Sequence, residues 1–426
     1  MTTKSIFEYV LKNSRITHSA MYRMQFKDGS DGAGSQSVWK SKSMIGAKHH
    51  MYQYALVPLK LECCVEHDDE TSHMSYVPIW KNPKPNSPLW VRPVYLIREK
   101  EDDEELKKYV TMITDECRTK LQAESMVIET GDKQAFNVQF QIHNTMMDLK
   151  LKRNLCGKGG ADCILCKHPQ KEWMDSEIIS EGFKISTSAS ETLKTYEALI
   201  EKGQGEIAKE ACDYTERQGI TQKPTTTSNL HCIAITHSWI NTTNWFFKVL
   251  SRMNAEDETW VEKENCYGDH IRAGTFRVRE IIYQETGKSL MQVAGALSKS
   301  GGSTDGNDGR EFFTLAFLPI ILKCIPEKYH DTIKKLHRDL SCILRVISST
   351  SKVNWHAFEK LTQEASILLA NELSWVRVNW TLHGVLHHSC ELIRMNEQCG
   401  LGMLSEEALE ANNNKYICAK IFRNKS

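Results

Sequence analysis

Hydrophobic and polar residues alternate in several short stretches of the first 150 residues. In residues 20–27, Tyr22, Met24 and Phe26 alternate with charged or amide side chains, which is the pattern of a strand with one buried face. The alternation ends in the glycine-rich stretch 28–34, where a turn is predicted. Residues 54–62 and 90–98 are predicted as two further strands, and the alternation returns in a fourth, residues 137–143.

Two of the predicted strands contain a proline. Pro58 and Pro93 cannot donate a hydrogen bond to a neighbouring strand, so each is expected at a sheet edge or at a bulge. Residues 104–124 instead carry apolar side chains at helical spacing. Three strands, a helix and a fourth strand predict a mixed α/β layer.

The remainder of the chain has mainly helical spacing. Breaks are predicted at residues 157–160, 223–228 and 298–309, where glycine, proline or small polar residues cluster. A last helix is predicted over residues 405–422, because Ser405 followed by acidic residues suits a helix start. The predicted domains are residues 1–150, the helical insertion 151–400 and the terminal segment 401–426.

The charge balance excludes one class of partner interaction. The chain has 426 residues, with 54 Lys plus Arg and 54 Asp plus Glu, so its formal net charge is zero. Any nucleic-acid binding must therefore use local patches, not overall attraction.

The longest apolar run, residues 312–325, is interrupted by Lys323 and is shorter than the roughly 20 apolar residues that span a bilayer. No membrane association is predicted.

Three acidic residues are candidates for metal-dependent chemistry. Asp31 and Asp148 follow predicted strands, and Glu410 lies on the predicted terminal helix. Carboxylates at strand ends and on a helix can hold two Mg²⁺ or Mn²⁺ ions that activate a nucleophile for phosphodiester cleavage. The alternative is that Asp31 is an ordinary turn residue and that Glu410 serves the helix dipole.

Cysteine and histidine pairs suggest a second metal site. The chain contains 14 cysteines, and its first residues are not expected to be a signal peptide, which favours reduced thiols over disulfides. Cys163 and Cys166 form a Cys-x2-Cys pair, and His383 and His388 have the spacing of zinc-binding histidines. Zinc coordination by the four is one interpretation. Ordinary buried thiols and histidines on a helix face are the other.

Several motifs together resemble the catalytic core shared by Transib transposases and the catalytic subunit of the RAG recombinase. They occur in the family's order from about residue 20 to the carboxyl terminus. The matching segments are residues 31–35, 147–148, 159–166, 230–232, 301–313, 383–388 and 399–412.

The resemblance implies an RNase H-like (DDE) α/β fold interrupted by a long, mostly helical zinc-binding insertion. It implies that Asp31, Asp148 and Glu410 bind two Mg²⁺ ions and that one structural Zn²⁺ is held by the two cysteines and two histidines. The implied reaction is cleavage of double-stranded DNA at terminal inverted repeats by nicking and hairpin formation, followed by strand transfer of the 3′-hydroxyl. A nuclear homodimer is implied, and a second RAG-type subunit is left open.

The sequence is also compatible with two other functions. The resemblance implies a region upstream of the core, of which we expect only about residues 1–20 here, so a truncated or domesticated, catalytically inactive zinc-stabilised protein that binds DNA or a partner is the alternative. A free-standing RNase H-type nuclease is the third. Candidate phosphate-binding cations are Lys299, Arg310, Lys415 and Lys420.

Overall fold

A computed structural model divides the chain into two compact units. The first contains residues 1–157, 223–230 and 403–426, and the second contains residues 158–222 and 231–402. The residues that the structure describes are 3–13, 21–33, 51–66, 74–97, 104–130, 135–159, 162–203, 207, 214–226, 228–254, 269–288, 305–396 and 399–412.

A six-stranded mixed sheet forms the centre of the first unit. Five strands follow the order β3-β2-β1-β6-β5, and β4 pairs with the other half of the long strand β2. Only β1 and β6 are paired in parallel; the other described ladders are antiparallel. The strands are β1 (Tyr22–Ala33), β2 (Met51–Glu66), β3 (Met74–Lys81), β4 (Arg92–Ile97), β5 (Met126–Glu129) and β6 (Ala135–Asn144).

Prolines lie at the irregular positions of the sheet. Pro58 follows the register shift between β1 and β2, Pro78 that between β2 and β3, and Pro93 that between β2 and β4. A bulge leaves one residue unpaired, so it tolerates a residue without an N–H group. The prediction that Pro58 and Pro93 lie at bulges is therefore confirmed.

The turn predicted for residues 28–34 was wrong as far as the structure describes this stretch. Strand β1 continues to Ala33 and pairs with β2 along this length. Gly29 is required there by close packing, not by a turn, since a Cβ on it would lie 1.9 Å from the carbonyl oxygen of Met146. Asp31 consequently lies within a strand.

Three helices and a short terminal segment pack with the sheet of the first unit. Helix α1 contributes Ile6 and Val10 to an apolar cluster with Tyr22 and Met24 of β1. Residues 407–412 are helical, and the 3₁₀ helix Leu401–Leu404 precedes them. The helices are α1 (Thr3–Asn13), α2 (Glu104–Ala123) and α3 (Leu149–Leu155), with a 3₁₀ helix at Pro88–Trp90.

The second unit is helical and is built around one large apolar core. Helix α7 is buried along most of its length, and α11 turns its apolar face inward. Its helices are α4 (Ser176–Glu181), α5 (Ala189–Lys202), α6 (Tyr214–Arg217), α7 (Ile235–Met253), α8 (Asp269–Thr286), α9 (Gly306–Phe312), α10 (Leu318–Lys323), α11 (His330–Ile347), α12 (Trp355–Glu372), α13 (Trp380–His383) and α14 (Ser389–Met395), with 3₁₀ helices at Gln170–Glu172 and Glu327–Tyr329 and a π-helix at Gly384–His388. Among the described helices, none has the length and apolar character needed to cross a membrane.

The α/β fold class agrees with this mixed sheet and its many helices. Boundaries were predicted after residues 150 and 400, and the two units divide after Gly157 and before Met403. Residues 223–230 return to the first unit, which no local pattern indicates. Most of the predicted break at residues 298–309 and the part of the predicted terminal helix beyond residue 412 lie outside the described residues. Residues 306–309 of that break belong to helix α9 instead.

We predict that Gly29→Ala destabilises the first unit. The added Cβ would overlap the Met146 backbone, and backbone shifts of this kind cost about 1–3 kcal/mol. Urea unfolding monitored by circular dichroism measures the change. The control is Gly287→Asn, because a Cβ there meets no described atom within 4 Å and asparagine tolerates positive φ. Equal stability of Gly29→Ala and the natural protein would contradict the packing argument.

Candidate metal centres

Four buried side chains of the second unit converge on one point. Cys163 and Cys166 lie in the segment that follows residue 162, His383 ends α13, and His388 ends the π-helical turn. One ligand atom from each lies within 4.8 Å of the others. Two thiols and two imidazoles at this separation can hold a tetrahedral metal ion.

The π-helical turn explains how the two histidines share a face. An α-helix rotates about 100° per residue, so side chains five positions apart would diverge by about 140°. Residues 384–388 instead form a π-helix, whose wider turn aligns positions five apart. The Nε2 atoms of His383 and His388 are consequently 3.2 Å apart, and His383 Nε2 is 3.4 Å from Cys166 Sγ.

Backbone and aromatic contacts fix the four side chains. The N–H of Leu165 donates to Cys163 Sγ at 3.3 Å, so a hydrogen bond within the Cys-x2-Cys turn orients the Cys163 thiol. The ring of Trp173 stacks on His383 with centroids 4.1 Å apart, and Phe183 meets the same ring edge-on. Among the described residues, no group hydrogen-bonds to Nδ1 of either histidine. Packing therefore orients the His383 ring in place of the usual hydrogen bond.

The protonation states of this cluster suit a cation. Burial lowers the pKa of His383 to about 4, which keeps its imidazole neutral. Burial opposes ionisation of Cys163, yet hydrogen bonds from Cys166 and both histidines hold the pKa of Cys163 below its usual value. The contact with Cys163, together with burial, raises the pKa of Cys166. A divalent cation would stabilise both thiolates, since neutral imidazole and thiolate are the ligating forms.

A hydrogen bond between two amide side chains of the first unit relates the position of Glu410 to that of Asp31. Asp31 lies opposite Gln53 in the β1–β2 ladder, so both side chains project from the same face of the sheet. Asn412 Nδ2 donates to Gln53 Oε1 at 3.3 Å. Glu410 precedes Asn412 by two residues in the helical stretch 407–412. This contact attaches the turn that carries Glu410 to the Asp31 end of the strand pair.

Asp148 lies at the amino terminus of α3. Its Oδ1 accepts a hydrogen bond from the N–H of Leu151 at 2.6 Å, which makes it the cap of that helix. Among the described residues, Asp31, Asp148 and Glu410 do not form a group with all ligand atoms within 4.8 Å of one another. A two-ion site spreads its ligands over ions about 3.5–4 Å apart, so the three-acid site stays a prediction. Glu406 and Glu410 do lie within 4.8 Å of each other.

Of the four predicted phosphate-binding cations, only Arg310 lies in the described part of the chain. Its Nη1 donates to the Gly306 carbonyl at 3.2 Å, and its guanidinium lies 5.6 Å from the centre of the Trp239 ring. These contacts hold Arg310 against its own helix and α7. Lys299, Lys415 and Lys420 lie outside the described residues.

A buried ionic cluster around Asp28 was not identified from the sequence. Arg118 of α2 donates to Asp28 Oδ2 through Nε at 3.0 Å and Nη2 at 2.7 Å, and Tyr54 donates to the same oxygen at 2.6 Å. The other nitrogen of Arg118 reaches Asp115 and Ser228. Asp28 Oδ1 is buried and has no hydrogen-bond partner in the part of the chain that the structure describes. The only sequence signal was the alternation Tyr22-Met24-Phe26, which places Asp28 next on the buried face.

One family comparison matches part of the chain. Residues 24–161 match the family described as the Recombination-activation protein 1 (RAG1) RNase H domain. This segment runs from β1 to just beyond α3 and includes Asp28, Asp31 and Asp148, but it ends before Cys163. No curated protein matches the chain. The match supports a RAG1-like relationship and a nuclease family for this α/β segment.

We predict that Arg118→Met strongly destabilises the first unit at neutral pH. Removing the guanidinium leaves Asp28 and Asp115 as buried acids without their cation, at a cost of about 3–5 kcal/mol. Burial raises the pKa of Asp28, and losing Arg118 should raise it further. The folded variant then keeps a proton that the unfolded chain releases, so its free energy of unfolding should rise as the pH falls toward about 4.

Urea unfolding of Arg118→Met at about pH 7 and about pH 5 measures both effects. Lys120→Met is the control: Lys120 lies two residues beyond Arg118 in α2 and forms an ion pair with Glu116 in which both side chains are exposed. It should change stability little at either pH. A defect in Arg118→Met that grows on acidification would contradict the assignment.

Proposed function

We propose that this chain is the core of a DDE-type DNA transposase or recombinase. The observation that carries the proposal is the RAG1 RNase H match over the α/β segment that bears Asp31 and Asp148. The proposed substrate is double-stranded DNA with terminal inverted repeats, and the proposed location is the nucleus. The chain would cut by nicking and hairpin formation and then join the 3′-hydroxyl to target DNA, acting as a homodimer with or without a second RAG-type subunit.

Asp31, Asp148 and Glu410 are the proposed ligands of two Mg²⁺ or Mn²⁺ ions. All three side chains are half-buried, and they offer the oxygen donors that these hard cations prefer. The contact between Asn412 and Gln53 supports a common location for Asp31 and Glu410. Bound ions would activate the attacking oxygen and stabilise the leaving oxygen of a phosphodiester displacement.

Cys163, Cys166, His383 and His388 are the proposed ligands of one structural Zn²⁺. Their burial, their separation and the neutral state of His383 support this assignment. All positions of a tetrahedral ion would be filled by protein, which is typical of structural and not of catalytic zinc. Because the cysteines and the histidines are about 220 residues apart, the ion would join the two ends of the helical unit.

We predict that the purified chain nicks inverted-repeat DNA in the presence of Mg²⁺ or Mn²⁺. Asp148→Asn and Glu410→Gln should abolish the product because each removes a charged cation ligand of nearly unchanged size. Gel analysis of end-labelled DNA measures nicks and hairpins. The matched control is Asp331→Asn, which changes a fully exposed acid on α11.

Cutting that persists in both acid variants would contradict the three-acid site. A folded, metal-containing chain that binds DNA without cutting it would instead support the catalytically inactive alternative. A further measurement with Asp28→Asn shows whether the buried acid of the same strand contributes to cutting. Its stability must be measured in parallel, since Arg118 would lose a partner.

We predict about one zinc ion per chain, lost in Cys163→Ser. The hydroxyl is a poorer ligand than the thiolate, so metal content and melting temperature should fall together. Mass spectrometry under native conditions counts the metal, and thermal unfolding measures the stability. Cys342→Ser, which changes an exposed thiol of the same unit, should leave both unchanged. A zinc content that is the same in both variants would exclude this site.

A further inference from the structure

A fully buried lysine lies in β1 beside the terminal segment of the first unit. Lys27 has no exposed surface. Its Nζ donates to the carbonyl oxygen of Ser405 at 2.6 Å and to Asn86 Oδ1 at 2.9 Å. Ser405 and Lys27 are 378 residues apart in sequence, so this hydrogen bond is among the long-range contacts that define where the terminal segment lies.

Burying a lysine side chain is costly, and the surroundings of Lys27 offset part of that cost. Glu406 is almost completely buried, and both Glu406 and Glu407 act electrostatically on Lys27. Burial lowers the pKa of Lys27 to about 7, against the opposing effect of the two acids. The hydrogen bond to Ser405 requires only an N–H donor, so it forms in either protonation state of the amine.

Three contacts hold residues 405–412 to the sheet. Lys27 binds the first residue of the segment. Ala408 and Leu409 enter an apolar cluster with side chains of β2 and with Met146. Asn412 donates to Gln53 at the end of the segment. Glu410 lies between the second and third contacts, so its position depends on all three.

The Lys27 contact also determines which part of β1 the segment approaches. Lys27 and Asp31 are four residues apart in one strand, so their side chains project from the same face. The segment begins over Lys27 and ends at Gln53, which lies opposite Asp31 in the ladder. It therefore runs along one face of β1 toward the proposed metal-binding acid.

We propose that Lys27 is the positioning residue for the third acid: its hydrogen bond to Ser405 holds the start of the terminal segment on β1, so that Glu410 is presented beside Asp31 before any cation binds. This inference rests on the proposed function for the role of Glu410, although the attachment of the segment can be tested without it. Apolar burial by Ala408 and Leu409 is not directional, so the hydrogen bond supplies the register.

The test compares Lys27→Met, Lys27→Arg and Lys60→Met in the full chain. Methionine fills the space of the lysine stem without a donor, and arginine restores a donor. Lys60 is the matched control, a nearly fully buried lysine of β2 that pairs with Glu62. Hydrogen exchange of the backbone amides of residues 405–412, followed by mass spectrometry, reports the attachment. Circular dichroism and thermal unfolding show that each variant is folded.

Lys27→Met should increase exchange in residues 405–412 by about ten-fold or more relative to the sheet amides, as expected for local opening. Lys27→Arg should recover part of the protection, and Lys60→Met should leave this segment as protected as in the natural protein. If Lys27→Met does not fold, the exchange of Lys27→Arg and of Asn86→Ala is measured instead. In both variants the amides of residues 405–412 should be less protected than in the natural protein but more protected than in the unfolded chain. Unchanged protection in a folded Lys27→Met, or equal loss in Lys60→Met, would overturn the proposal.

A kinetic measurement separates this inference from the proposed function. If the natural chain cuts DNA, Lys27→Met should lower kcat by about ten-fold with little change in KM, because Glu410 is displaced while DNA binding is retained. The Mg²⁺ concentration at half-maximal rate should rise. A kcat in Lys27→Met equal to that of the natural chain would overturn the positioning role. If the natural chain does not cut, the proposed function fails, while the exchange result still decides whether Lys27 attaches the segment.

Discussion

The parallel pairing of β1 with β6 is the interaction on which the first unit depends. Tyr22 to Asp28 pair in register with Val138 to Asn144, and the carbonyl of Asp28 then accepts hydrogen bonds from the N–H groups of Thr145 and Met146. The chain therefore crosses Gly29 directly after β6, at a distance that excludes any side chain. Asp148 follows four residues after the end of β6, and β6 pairs with the strand that carries Asp31. The parallel pairing therefore relates the position of Asp148 to that of β1.

Sequence patterns predict β1, β2, β4 and β6 among the six described strands, but not β3 or β5. Strands β1 and β6 bury Met24 and Val138 between polar neighbours, which is the pattern that alternation detects. Strand β5 exposes Met126 and Val127 at the edge of the sheet, so burial imposes no pattern on it. The turn predicted for residues 28–33 was wrong because tertiary contacts override the local preference of the glycines. These glycines favour a turn locally, whereas pairing with β2 on one side and close packing on the other require an extended backbone.

The two candidate metal centres differ in how much the sequence reveals. Cys-x2-Cys and His-x4-His spacings are local, and the structure brings those four side chains together. The π-helical turn that aligns the histidines has no comparable sequence signal. In the structure, Trp173 and Phe183 pack against His383, and Phe183 also packs against His387. The ion pair between Asp28 and Arg118 joins residues 90 positions apart. No spacing rule predicts such a contact. The glycine-rich stretch that follows Asp28 favours Asp31 as the functional acid instead.

Adjacent residues of β1 carry buried ionic groups to opposite faces of the sheet. Successive side chains of a strand alternate in direction, so Lys27 reaches the terminal segment while Asp28 reaches Arg118 of α2. Through Arg118, the same contact extends to Asp115 and to Ser228 in the segment that returns to this unit. Desolvation offsets much of the attraction in buried ion pairs, so their larger effect here is on which segments pack against which face. Ser405 is fixed to Lys27 of β1, and Ser228 to Arg118 and Asp115 of α2, by directional hydrogen bonds that apolar packing alone would not specify.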